Sequence, residues 1–122
     1  MKKILPLLFV SFCFSAHGAM DVSGIKFCQI LHNKAEMTAR AKTQGISKAR
    51  FIKEARIADD AEDYSQDFYK MELAMIDDTY KNPTLTHSSD NYENIKKSSQ
   101  YGLDVLDRCL QRYGKTDHVI FN

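Results

Sequence analysis

Two cysteines on helical faces at opposite ends of the chain place the strongest constraint on its fold. The 122-residue sequence has three cysteines, Cys13, Cys28 and Cys109. Cys13 lies in an apolar run, Ile4 to Phe14, behind the basic pair Lys2 and Lys3. That run falls short of the roughly 20 residues a bilayer-spanning helix needs, and it has the length of a signal-peptide core. Ala16-His17-Gly18 follows, with small residues where a signal peptidase reads them. The expectation is a signal peptide over residues 1–18. A single helical domain over 19–122 follows, periplasmic or secreted, with no membrane span after cleavage. Cys13 leaves with the leader, and Cys28 and Cys109 remain as one pair in an oxidising compartment. Neither belongs to a C-x-x-C motif, and neither has a neighbouring histidine in a zinc-ligand pattern. A structural disulfide follows. It closes a loop of about 80 residues, for which the chain-entropy model gives about 4–5 kcal/mol, against a typical total of about 5–15 kcal/mol.

The rest of the chain has helical periodicity. Residues 22–44 carry Ile25, Cys28, Leu31, His32, Ala35 and Ala39 at three- and four-residue steps. Gln44-Gly45 ends that helix, Ser47 caps the next, and Ile46 with Phe51 forms a hydrophobic staple across its start. A second face, Phe51, Ala55 and Ala58, gives way to a seam of Ile57, Ala61, Tyr64, Phe68, Met71 and Met75. Asp59 with Glu62 resembles a capping box, so a break or kink is expected near Ala58–Asp60. Asn82-Pro83 stops the third helix at about Tyr80, and residues 83–89 form a loop. Asp90 caps a last helix whose apolar seam is Tyr92, Ile95, Ser99, Gly102, Leu106, Cys109, Leu110 and Tyr113. Gly102 either admits a close neighbour or divides this helix, and a tail begins at about residue 115. No stretch alternates as a strand does. The fold class is therefore all-α: a small four- or five-helix bundle, its first and last helices joined by Cys28–Cys109, which must bring their Cα atoms within about 7 Å.

Charge is segregated along this chain. Lys26 to Arg56 holds eight basic residues and two acids, a balance of +6, while Asp59 to Asp78 holds eight acids and one lysine, a balance of −7. Either the helices compensate each other across solvated faces, or the bipolar surface steers a charged protein partner. Asp59, Asp63 and Asp67 fall four residues apart and would stack on one helix face as a partner-binding acidic surface. Formal net charge is +1, and −1 once Lys2 and Lys3 are removed (15 basic against 16 acidic), which argues against a nucleic-acid binder.

Chemistry has little support. There is no H-E-x-x-H, no G-x-G-x-x-G, no Walker loop and no G-x-S-x-G. Asp59-Asp60-Ala61-Glu62-Asp63 lacks the glycine and alternating ligands of an EF-hand loop. His32, with Glu36 one turn on, reads as a satisfied histidine rather than a ligand. Catalytic, cofactor-binding and metal-binding residues are accordingly expected to be absent. Tyr69, Tyr80 and Tyr101 fall off the seams and, if exposed together, would make an interface patch. Met71 and Met75 read as core filling.

A helix with Cys28, Ala35 and Ala39, then Gly45 and Ser47, then Tyr80-Lys81-Asn82-Pro83-Thr84-Leu85-Thr86, and a terminal helix with Cys109 resembles a loose class of small exported two-cysteine helical proteobacterial proteins. The ending Leu106-Asp107-Arg108-Cys109-Leu110-Gln111-Arg112-Tyr113 is weakly similar to the terminal helix of periplasmic immunity proteins against type VI amidase effectors. That resemblance implies a helical, disulfide-bearing binder of another protein; no individual residue role is carried over from it. The functional expectation is a non-enzymatic protein-binding module such as an immunity protein or inhibitor. Two alternatives stand beside it: an acid-stress periplasmic chaperone whose Asp59–Asp78 carboxylates neutralise at low pH, and an enzyme or metal-binding protein.

Overall fold

Cys28 and Cys109 are bonded, with Cα atoms 5.5 Å apart. The bond joins α1 (Ile25–Thr43) to α4 (Asn91–Gln111); between them come α2 (Lys48–Glu62) and α3 (Gln66–Lys81). This computed structural model describes residues 24–62, 66–112 and 120–121. Four helices and no strand occur among the described residues, as the periodicity predicts. The expected signal peptide lies outside them.

Helix ends follow local chemistry. At the end of α1, Gly45 takes φ +88°, a conformation strained for any residue with a Cβ. Ile46 N–H reaches Ala41 O at 2.9 Å and Gly45 N–H reaches Lys42 O at 3.0 Å, the paired bonds of a Schellman motif. Ser47 Oγ accepts from Arg50 N–H at 3.2 Å to start α2, and Asp90 Oδ1 accepts from Tyr92 N–H at 3.0 Å to start α4. The α2–α3 boundary departs from expectation. Asp59 caps nothing; α2 continues unbroken through Ala58–Asp60 to Glu62, and Asp59 is buried.

Helix α1 is central and packs against the other three. Its Phe27, Leu31, Ala35 and Ala39 meet Phe68, Met75 and Ile76 of α3 and Val105 of α4 in one core, with Phe27 and Phe68 edge to face at 5.4 Å. Small buried hydroxyls complete this core because each returns its proton to its own helix. Thr38 donates to Lys34 O and Ser98 to Asn94 O. Within the expected tail, Phe121 is buried in the core, with Arg108 stacked 5.2 Å over its ring. Residues 115–119 of that tail lie outside the described residues.

The α1–α4 pair is antiparallel and close. Cys28 meets Cys109, His32 meets Gly102 and Glu36 meets Ser99. A Cβ on Gly102 would stand 3.2 Å from Glu36 Cβ and 3.2 Å from the His32 ring. Glycine is there for close approach, and α4 is not divided at it. The core-facing side of α4 also differs from the expected seam. Asn94, Ser98, Tyr101, Gly102, Val105 and Cys109 are buried, while Tyr92, Ile95 and Leu110 are exposed.

The covalent clamp should dominate stability. Replacing both cysteines by serine is expected to lower the unfolding free energy in urea by about 2–5 kcal/mol, the usual cost of losing a native bridge from a small domain. A loss below about 1 kcal/mol would show that packing alone holds α1 against α4.

Candidate functional site

Among the described side chains of α2, Asp59 alone is buried. Phe51, Ile52 and Ala55 are half-buried at the edge of the core. Helix α2 is therefore pinned by charge more than by apolar burial. Lys34 of α1 reaches Asp59 Oδ1 at 2.9 Å and Glu72 Oε2 of α3 at 3.6 Å. Three helices thus contribute one buried lysine–carboxylate cluster. One ammonium cannot compensate two carboxylates out of water. Burial pushes the Glu72 carboxyl up to about 8, assisted by its hydrogen bond to Asp59 and opposed by the Lys34 charge. As anions, Asp59 and Glu72 would each leave a buried oxygen, Oδ2 and Oε1, with no donor. A proton held on Glu72 supplies that donor, so the cluster is neutral as Lys34⁺, Asp59⁻ and protonated Glu72.

Lys34 and Glu72 of this cluster line a cavity of about 140 Å³ walled by Met37, Phe51, Glu54, Ala55 and Ala58. That space is smaller than the roughly 300–1,000 Å³ of most small-molecule sites. A raised carboxyl beside a lysine is what general acid catalysis uses, but structural ion clusters perturb carboxyls in the same way. Here the two carboxylates and the lysine each belong to a different helix and bridge them, which is the structural arrangement.

A larger concavity, about 310 Å³, lies between the loop after α3 and the outer side of α4. Asn82 and Thr84 form one wall; Glu93, Lys96, Lys97, Gln100 and Asp104 form the other, and Tyr101 lies at its floor. The loop is braced on several sides. Asn82 Oδ1 accepts from Thr84 N–H and Thr84 Oγ1, at 2.9 Å and 2.7 Å. Lys42 Nζ donates to Asn82 O at 2.6 Å and Thr79 O at 3.3 Å, a cation at the C-terminal end of α3. Leu85 is buried beneath, and Lys97 Nζ donates to Thr86. Tyr101 donates to Asp78 Oδ2 at 2.8 Å and accepts from Thr79, and burial pushes its phenol up.

The sequence-predicted residues separate in three dimensions. Asp59 is buried against Lys34, Asp67 is exposed on α3, and Asp63 lies outside the described residues. Asp59 and Asp67 belong to different helices, so the four-residue stacking that defined an acidic face does not join them. The tyrosine patch does not assemble either. Tyr101 is buried, Tyr80 donates to Ile46 O at 2.7 Å, and Tyr69 sits beneath the Arg56 guanidinium at 4.7 Å. The segregated charge is compensated between helices: Lys34 with Asp59 and Glu72, and Lys48 with Asp77 at 2.6 Å. Lys48 and then Lys81 hold the Asp77 carboxyl below its usual range, to about 2. His32 Nδ1–H donates to Gly102 O at 2.7 Å and is a packing group, as expected. Among the described residues no three His, Cys, Asp or Glu side chains gather as a metal ion would require, and no helix is long and apolar enough to cross a membrane. The Asn82–Leu85 wall was visible in the sequence only as a loop; Asn82 before Pro83, with Thr84 two residues on, was its one local signal. Comparison with protein-family models, with curated proteins and with solved structures finds no match.

The buried cluster gives a signed pH dependence. Glu72 has a higher proton affinity folded than unfolded. Its contribution is fully present below the unfolded value of 4.5 and is lost as pH rises through about 8. Glu72→Gln keeps the donor without the titration. Across that window, wild-type unfolding free energy is expected to fall relative to the variant, by at most about 1.4 kcal/mol per pH unit. Parallel curves would show that Glu72 holds no proton in the fold.

Proposed function

We propose that this chain is an exported, non-enzymatic protein-binding module that acts as an immunity protein or inhibitor. The observation that carries the reading is the braced polar groove between Asn82–Thr84 and α4. Its walls alternate acceptors, donors and both signs of charge (Asn82, Thr84, Glu93, Lys96, Gln100, Asp104), which suits an extended polypeptide segment better than a small apolar ligand. The loop is held before binding by Lys42, Lys97 and its own Asn82 turn, so little conformational entropy is lost when a partner docks. The disulfide fixes the helix that forms the opposite wall and suits an oxidising compartment.

The test is affinity capture from periplasmic extract at low salt, run in parallel with wild type and with Thr84→Arg/Gln100→Glu. Both positions are exposed, so the fold should survive, as circular dichroism would confirm. The expected result is a protein recovered by wild type and reduced at least about tenfold with the double variant. No specific partner, or equal recovery by both chains, would contradict the reading.

A further inference from the structure

The expected seam of the last helix is divided: Gly102 and Cys109 are buried against α1, while Tyr92, Ile95 and Leu110 stay exposed and are joined on that flank by Leu103. Tyr92, Ile95, Ser99, Leu103, Leu106 and Leu110 follow one another at steps of 3, 4, 4, 3 and 4 residues along α4. Tyr92 is 71% exposed, Leu103 53% and Leu110 42%. Lone exposed leucines are ordinary, but a continuous seam about 27 Å long is not. The helix spends its other face on α1 and on a polar-lined contact through Asn94, Ser98 and Tyr101; Ser99 and Leu106 on the near edge of the seam are half-covered by α1 and the core, and Tyr92, Ile95, Leu103 and Leu110 are left exposed.

We propose that the seam binds a second copy of this chain, α4 against α4, antiparallel and crossing near Tyr101. The seam is complementary to itself under that two-fold. Tyr92 falls opposite Leu110 of the second copy, Ile95 opposite Leu106, and Ser99 opposite Leu103, so unequal side chains meet at the ends and the centre and equal ones between. The flanking charges obey the same symmetry. Lys96 and Asp107 both border the seam, on the edge away from α1, and both are exposed. A two-fold through the middle of α4 places each Lys96 beside Asp107 of the other copy, twice per pair. A parallel pairing would set Lys96 beside Lys96. Isologous contact of this kind closes at two copies, as a point-symmetric interface must. The charge pair selects register and orientation, and the apolar row provides the buried core of the contact. Gly102 and the α1–α4 disulfide fix the helix that carries the seam, and the groove against Asn82–Thr84 opens beyond the Lys96 edge. Lys96 also lines that groove, whereas Asp107 and Leu103 do not, so Asp107→Lys and Leu103→Asp test the pairing apart from the groove.

The experiment is sedimentation velocity across a concentration series on the oxidised chain, purified as the cell processes it. Wild type is expected to reach twice the monomer mass reversibly. Lys96→Asp alone and Asp107→Lys alone each set like charges opposite one another and are expected to weaken the pair by at least about tenfold. Lys96→Asp/Asp107→Lys exchanges the charges and is expected to restore wild-type association within about threefold. Leu103→Asp, at an exposed position, should abolish it with an unchanged circular dichroism spectrum. A wild type that stays monomeric at every concentration overturns the proposal and leaves the seam to a different protein. A dimer indifferent to the single reversals, or not rescued by the exchange, also overturns it.

Discussion

The contact between α1 and α4 is the constraint on which the rest of the structure depends. A disulfide alone would tether two helices; Gly102 lets them lie flat together. With no Cβ there, His32 donates to the Gly102 carbonyl, and Glu36 passes within contact distance on its way to Ser99. The bond and the close approach act at different points along the pair, so rotation and sliding are both restricted. Helix α3 then packs into the angle, with Phe68, Met75 and Ile76 against Phe27 and Leu31.

Helix α2 stands apart from this logic. It presents no fully buried apolar side chain among its described residues, and its anchor is a lysine–carboxylate cluster whose neutrality depends on one proton. Buried ion clusters add little net stability, but loss of one member is costly. The consequence is a domain with a stiff half, α1 with α4, and a half held by specific polar chemistry. The proposed groove and the proposed pairing surface both use α4, the helix that the disulfide ties to α1.

Much of this was legible in the sequence wherever the cause is local. Gly45, Ser47 and Asp90 act through bonds to residues within a turn, and the structure has each of them at work where the sequence places it. The disulfide was legible because only two cysteines lie beyond the apolar run Ile4 to Phe14. What failed did so for tertiary reasons. Asp59 looks like a cap because its partner, Lys34, lies 25 residues back and is invisible to local pattern. The seam of α4 was placed facing the core because hydropathy counts Asn94, Ser98 and Tyr101 as surface residues. Each of them hydrogen-bonds inside: Asn94 Nδ2 to Ser88 O, Ser98 to Asn94 O, Tyr101 to Asp78 and Thr79, with Asn94 Oδ1 left without a partner among the described residues. Periodicity located one apolar seam on that helix, of which only Gly102 and Cys109 are fully buried. The groove was not legible at all, since it arises where a loop and a helix 11 or more residues apart are brought together by Lys97 and Thr86.

The central claim is that α1 and α4 form the last unit to open, with α2 the first. Native-state hydrogen exchange on the oxidised chain measures that order directly. The account predicts the slowest amides in Leu31–Ala39 of α1 and Ser98–Val105 of α4, exchanging only through global unfolding. The amides of α2 should exchange through a local opening of lower free energy. Equal protection across all four helices, or faster exchange in α4 than in α2, would contradict it.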